Sequence, residues 1–161
     1  MGKYSVYDHL AKLNVGCGQD IRVDFLNVDT LPHSGSVMLD IDSGDLMELP
    51  HNHYEYIYCH GVINELRSDL VDIMNQFYAL LKNGGLLEIG VISVIRQDGN
   101  INPYAFSVPR ATRYLSPLWV EFFKEDGLYA NYPIGFTGKF IELKNELSSL
   151  GVHRATLRAV K

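Results

Sequence analysis

The run Asn14-Val15-Gly16-Cys17-Gly18, followed by Asp29, is the first place in this chain where residue types and spacing point to chemistry. Two glycines separated by one residue, directly after a predicted strand, let backbone approach a ligand closely because no Cβ intrudes. Asp29 ends the next predicted strand, and a carboxylate there can accept both hydroxyls of a ribose. A third strand ends in Asp40 and a fourth in Cys59-His60-Gly61. All four breaks fall at carboxyl ends of strands, where open α/β sheets bind ligands. A GxG alone is often only a tight turn. Joined to an acidic end on the next strand, it points to a nucleoside-bearing cofactor.

These residues need elements to position them. The spacing predicts a helix over 69–82, with Leu70, Ile73, Met74, Phe77, Leu80 and Leu81 on one face, Ser68 as its cap and Asn83-Gly84-Gly85 as its stop. Apolar runs predict strands over 54–59 and 86–92 on either side, a βαβ unit with parallel strands. Shorter strands are predicted over 12–15, 25–29 and 36–40. Together they read as an α/β fold, a Rossmann-like, doubly wound and mostly parallel sheet. Downstream, Ser116-Pro117 opens a predicted helix that Gly127 closes, a further helix is expected over 139–150, and a terminal strand with one wet face over 152–160.

The details of the glycine turn bear on which cofactor it serves. A dinucleotide fingerprint calls for a third glycine, at position 21, where Ile21 stands. It also calls for a helix opening on the pyrophosphate, and only 9 residues (16–24) join the first two strands. Adenosylmethionine carries no phosphate and needs no such helix, so a GxG with a ribose carboxylate suits it better.

Composition sets wider limits. The chain has 161 residues, 47% hydrophobic and 20% charged, with a net charge of −5, which is the balance of one soluble globular domain. A binder relying on phosphate neutralisation is normally basic, so a nucleic-acid partner is not expected. No apolar run is long enough to span a bilayer and no secretory leader opens the sequence, so no membrane partner is expected and the cytoplasm is the expected compartment. Cys17 and Cys59 lack CxxC spacing and fit a reducing compartment. His51 and His53 have no third ligand at clear spacing, so no metal is expected. Residues 1–94 carry 5 basic and 13 acidic side chains, whereas 95–161 carry 9 and 6 and hold ten of the aromatics, Tyr129 and Tyr132 among them. The halves read as a cofactor-binding part, 12–94, and a substrate-side lid with the terminal strand, 95–161, within one domain.

The stretch 12–94 resembles a family of small class I S-adenosylmethionine-dependent methyltransferases. The family's Lys-Leu-Asn-hydrophobic-Gly-(Cys/Ser)-Gly motif is matched by Lys12-Leu13-Asn14-Val15-Gly16-Cys17-Gly18. Its Asn-hydrophobic-Asp is matched by Asn27-Val28-Asp29, its third-strand Asp by Asp40, its Leu-Pro by Leu49-Pro50, and its Leu-Lys-Pro-Gly-Gly by Leu81-Lys82-Asn83-Gly84-Gly85. The family also lacks the first helix. The resemblance implies S-adenosyl-L-methionine as cofactor, held by Asn14, Gly16, Cys17, Gly18, Asp29, Asp40, Cys59, His60 and Gly61. It implies methyl transfer to a small-molecule acceptor, with His60 the nearest candidate base. Where the family has Ser-His-Val-Leu-Glu-His, this chain has His60-Gly61-Val62-Ile63-Asn64-Glu65. That departure keeps open a second reading, a non-catalytic adenosylmethionine-binding module; a nicotinamide-dependent oxidoreductase is the third. Tyr104, Arg110, Arg113 and Tyr114 follow the fifth strand, where rings can stack on a sugar and arginine forks match carboxylate or phosphate. A small anionic or sugar-like acceptor is the expectation. Balancing the acidic half is the alternative role of those arginines.

Overall fold

In the computed structural model, which describes residues 4–128 and 133–161, seven strands form one sheet. They are β1 (Lys12–Val15), β2 (Leu26–Asp29), β3 (Val37–Met38), β4 (Tyr54–His60), β5 (Leu81–Ile92), β6 (Phe140–Leu147) and β7 (Val152–Ala159). Their order across the sheet is β3-β2-β1-β4-β5-β7-β6. The first five in that order are mutually parallel, and β7 and β6 close the sheet antiparallel. The expected α/β architecture is therefore present, and the first crossover has no helix.

The period-two alternation of strands decides where the core sits. Leu13, Val15, Ile57, Cys59, Leu87 and Ile89 are buried on one face. Against that face packs the single α-helix among the described residues, α1 (Leu70–Leu80), through Ile73, Met74, Phe77 and Leu80. Its cap is Asp69, whose Oδ1 accepts from the Val71 N–H at 2.7 Å. Ser68, the expected cap, instead gives its N–H and hydroxyl to Asp42. An aspartate one residue nearer the helix competes better for the free amides, being charged.

The loop that replaces the first helix is held by two asparagines. Asn14 Nδ2 donates to the Asp20 carbonyl at 2.7 Å and to Asn27 Oδ1 at 2.9 Å, and Asn27 in turn bonds the backbone of Arg22 and Phe25. Buried backbone polar groups must be paired, and here side-chain amides pair them in place of helical bonds.

Two predicted helices are corrected. The segment over 139–150 is strand β6, hairpinned to β7 through a turn in which Gly151 has φ +77°. Its apolar spacing suits a helix, but only Phe140 is fully buried, and Leu143 and Leu150 stand exposed beside the β7 ladder. Ladder bonds to β7 outweigh local periodicity there. The segment opened by Ser116 is a short 3-10 turn, Pro117–Phe122, with no cap bond from Ser116. Burial of Trp119 and Val120, rather than a helical stripe, holds it. The strand expected over 36–40 is reduced to β3. The aromatics Tyr129 and Tyr132 lie outside the described residues.

Candidate functional site

At the carboxyl edge of the parallel strands the N–H groups of Gly16 and Cys17 both donate to the Val28 carbonyl, at 2.9 and 3.0 Å. This folds the glycine turn back over β2. Gly16 sits at φ +67°, and a Cβ added there would meet Val62 Cγ2 at 2.1 Å. Gly18 sits at φ +48°, and a Cβ added there would meet nothing within 4 Å. The first glycine is thus demanded by packing against the loop after β4, whereas the second faces open space. Asp29 is aimed at the same turn: its Oδ2 accepts from the Gly18 N–H at 2.8 Å, and its Oδ1 accepts from Leu31 N–H at 2.9 Å. A carboxylate has about four lone-pair sites, so both oxygens retain acceptor capacity.

Gly16, Gly18, Asp29 and Gly61 line one cavity of about 760 Å³. Its other walls include His33 after β2, Asp42 after β3, Val62, Glu65 and Arg67 after β4, and the strap Pro109–Thr112. That volume lies in the range of cofactor and small-ligand sites. The loop after β4 is ordered by Asn64, which is buried. Its Nδ2 donates to the carbonyls of Ile92 and Arg113, its Oδ1 accepts from Ile92 N–H, and its backbone carbonyl accepts from Thr112 and Arg113. Burial opposes ionisation of Asp42, but hydrogen bonds from Ser68 and Arg67 outweigh it and hold the carboxyl below its ordinary range.

The other expected site residues are placed differently. Asn14 positions the loop from beneath. Cys17 is buried next to the turn, its thiol pushed up by burial and then by the charge of Asp29. Cys59 points into the core, where burial pushes its thiol up to about 12. Both thiols are free. Asp40 braces its own loop by accepting from Asp42 N–H, while Ile41 and Asp42 reach the cavity. His60 projects from the sheet face opposite α1, stacked on Tyr58 at 3.9 Å with Nε2 3.1 Å from Glu88 Oε1, and is not among the cavity's lining residues. Burial lowers its basicity, the charges of Arg154 and Arg22 add to that, and Glu88 opposes it.

Arg110 lines the cavity, but Arg113 does not: its guanidinium donates to the carbonyls of Ile63 and Ser68, tying the strap to the loop after β4. Tyr104 and Tyr114 are exposed outside the cavity wall, Tyr114 stacked on Phe106 at 5.0 Å. Among the described residues no three His, Cys, Asp or Glu side chains come together as a metal site, and no helix is long and apolar enough to cross a membrane. His33, Glu65 and Arg67 are cavity residues that motif reading passes over. Only the departure at Glu65 marked one of them.

Solved structures of adenosylmethionine-dependent methyltransferases superpose on nearly the whole chain. One from Archaeoglobus fulgidus matches with a TM-score of 0.63 at 11% identity, covering 96% of this chain and 90% of that one. The 1,6-didemethyltoxoflavin-N1-methyltransferase of Burkholderia thailandensis, solved with S-adenosylhomocysteine, matches at 0.59 and 14% identity over 98% and 76%. A possible histamine N-methyltransferase from Thermotoga maritima matches at 0.59 and 13% over 91% and 81%. The chain has the class I methyltransferase fold. No family model matches its sequence, and no curated protein matches it either. The likeness of this methyltransferase-fold protein to its structural neighbours is thus one of architecture carried at very low identity.

Proposed function

We propose that this protein binds S-adenosyl-L-methionine in the carboxyl-edge cavity and transfers its methyl group to a small, anionic or sugar-like acceptor. The observation that carries the reading is the pairing of Gly18, open on its Cβ side, with Asp29 at 2.8 Å, inside a cavity of cofactor size. The chain's own residues fit the cofactor. Gly16 and Gly18 give it backbone to lie against, and the remaining lone pairs of Asp29 accept its ribose hydroxyls.

Adenosylmethionine, when bound, supplies an activated methyl group on a sulfonium. The protein then has to position the acceptor in line and exclude water, which is where most of the rate gain in such a displacement arises. The strap 109–112 and the loop after β4 form the wall that does so. Arg110 presents a guanidinium to an acceptor carboxylate or phosphate. A hydroxyl acceptor also needs a proton acceptor. Glu65 and His33 stand in the cavity wall for that role, and His60, on the other side of the sheet, does not.

Calorimetry with adenosylmethionine, adenosylhomocysteine and NAD tests the reading. Binding of the first two and not the third supports it. Binding of NAD alone overturns it in favour of an oxidoreductase. The second reading, a non-catalytic adenosylmethionine binder, draws on the replacement of the family's histidines by Gly61 and Glu65. Methyl release over a panel of sugar phosphates and carboxylates separates the two.

A further inference from the structure

Among the described residues, α1 packs on one face of the sheet and the opposite face is largely bare. Register places Lys12, Tyr56, Leu86, Arg158 and Ile141 in one row across the face opposite α1, and His60, Gly90, Arg154 and Glu146 in another. The loop 19–25 covers part of this face, with Arg22 3.4 Å from the Tyr58 ring centroid and Phe25 meeting Tyr56 edge-on at 6.0 Å, and Gln97 borders it beside Arg154 and Glu146. Parallel sheets are otherwise found with both faces covered, because their strands are the buried layer of a three-layer fold. Among the described residues no second layer of helices stands on this face.

The face has a definite chemistry. Phe25, Tyr56 and Leu86, with Gly84 and Gly85, line a mostly apolar groove of about 550 Å³ edged by Lys12, and its Glu55 is neutralised by Lys82 at 2.6 Å. Glu88 is engaged by the Tyr56 hydroxyl and by His60, and Glu146 by Lys144 at 2.9 Å. Lys12, Arg154 and Arg158 are exposed and make no ion pair within 4 Å among the described residues; Lys12 stands 5.6 Å from the Phe25 ring centroid, and its charge also acts on Glu55. Three unpaired cations thus stand on a molecule whose net charge is −5. An apolar groove with free cations beside it matches an apolar anchor with carboxylates beside it.

We propose that this face docks an acidic amphipathic helix of a protein partner, its apolar stripe seated in the Phe25–Tyr56–Leu86 groove and its carboxylates on Lys12, Arg158 and Arg154. Such a helix supplies a second layer by the helix-in-groove mode. Two other occupants fit less well. A second copy related by a two-fold axis would bring the same unpaired cations toward one another, and like charges at an interface are strongly unfavourable. A single-stranded nucleic acid needs bare rings for its bases. Tyr58 has none to offer: two groups as close as Arg22 and His60 cannot share one face of its ring, so they close both.

The test is titration of the full chain, followed by amide NMR, with a short synthetic helix bearing a leucine stripe and glutamates elsewhere. Its lysine-for-glutamate counterpart and a dT oligonucleotide are the controls, and sedimentation reports self-association. The expected result is shifts confined to β1, β4, β5 and β7 on this face, with affinity falling by about tenfold or more in Arg154→Glu/Arg158→Glu, a difference of about 1.4 kcal/mol or more. Tyr56→Ala is expected to weaken binding without changing its salt dependence. A dispersed amide spectrum and an unchanged urea midpoint in the double variant verify that it folds. Absence of shifts with the acidic helix, equal binding of the lysine helix, tighter binding of dT, or a dimer that buries this face would each overturn the proposal.

Discussion

Gly18 and Asp29 concentrate the proposed cofactor chemistry in one hydrogen bond, and their substitutions have different expected outcomes. Gly18→Val places a branched side chain where nothing stands within 4 Å, in the cavity itself, so adenosylhomocysteine binding should vanish, while the backbone at φ +48°, unfavourable for a β-branched residue, should lower stability as well. Asp29→Ala removes charge-assisted acceptors and should weaken binding by about 1–3 kcal/mol. Calorimetry reads both, and unchanged affinity in either would remove that residue from the site. The two arginines once grouped as anion ligands also separate. Arg110→Ala should raise the acceptor KM with cofactor affinity unchanged, because Arg110 reaches the cavity. Arg113→Ala should leave KM alone and lower stability by about 1–3 kcal/mol, because its donors are spent on the carbonyls of Ile63 and Ser68. Asn64 explains one departure from the family motif. It donates to two carbonyls and accepts from one N–H, which a carboxylate cannot do. Asn64→Asp should therefore destabilise by a similar amount, read as a lower urea midpoint with unchanged slope.

At the scale of elements, legibility followed how local the deciding interactions are. β1, β4 and the body of α1 were readable because each carries its own apolar period, but the ends of α1 were not: Asp69 rather than Ser68 caps it, and Leu81, with Asn83-Gly84-Gly85 behind it, already belongs to β5. β6 was not, because its partner β7 lies beyond a turn and its helical spacing of leucines is left exposed. The glycine turn was readable from backbone chemistry alone. The sides to which His60 and Cys59 point were not, since a strand's faces are assigned only when the covering layer is known. The same hairpin explains a pH effect. His153 on β7 is fully buried, its Nδ1 accepting from Trp119 Nε1–H at 3.1 Å and its Nε2 lying 2.6 Å from Asn145 Oδ1 on β6. That arrangement needs the neutral ring, with the proton on Nε2. Burial accordingly lowers its pKa below the ordinary 6.5, with only Glu142 opposing. The unfolded chain then binds the proton more readily, so the stabilisation is complete above about pH 6.5 and is lost as pH falls below it. His60, lowered in the same sense, adds to the trend. Urea midpoints should drop between about pH 7.5 and pH 5.5, and His153→Gln should shrink that drop. An equal drop in the variant would assign the effect elsewhere.

For the molecule as a whole, the cavity is one of several junctions between the two halves, which also meet through the sheet, through the bonds of Arg113 to Ile63 and Ser68 and through the packing of Tyr78 on Phe136 and Phe140. Its walls come from the loops after β1, β2, β3 and β4 and from the strap 109–112, so a ligand there ties the acidic half of the chain to the basic one. Ligand binding should therefore register in global unfolding and not only in a local loop. A ligand that binds the native state alone stabilises it by about 2.7 kcal/mol at a hundredfold excess over its Kd. In a chain of 161 residues each kcal/mol raises Tm by about 2–4 °C. Adenosylhomocysteine at that excess should thus raise Tm by about 5–11 °C in a single cooperative transition. NAD should give no shift, since the turn after β1 has neither the third glycine nor the helix that a pyrophosphate needs. Gly18→Val should unfold at a lower Tm because of its strained backbone at φ +48°, yet still in one cooperative transition, and should lose the shift; the retained cooperativity distinguishes a blocked cavity from a damaged fold. A shift of the same size with NAD, or a shift that survives in Gly18→Val, would move the ligand away from this turn and undo the assignment of the site.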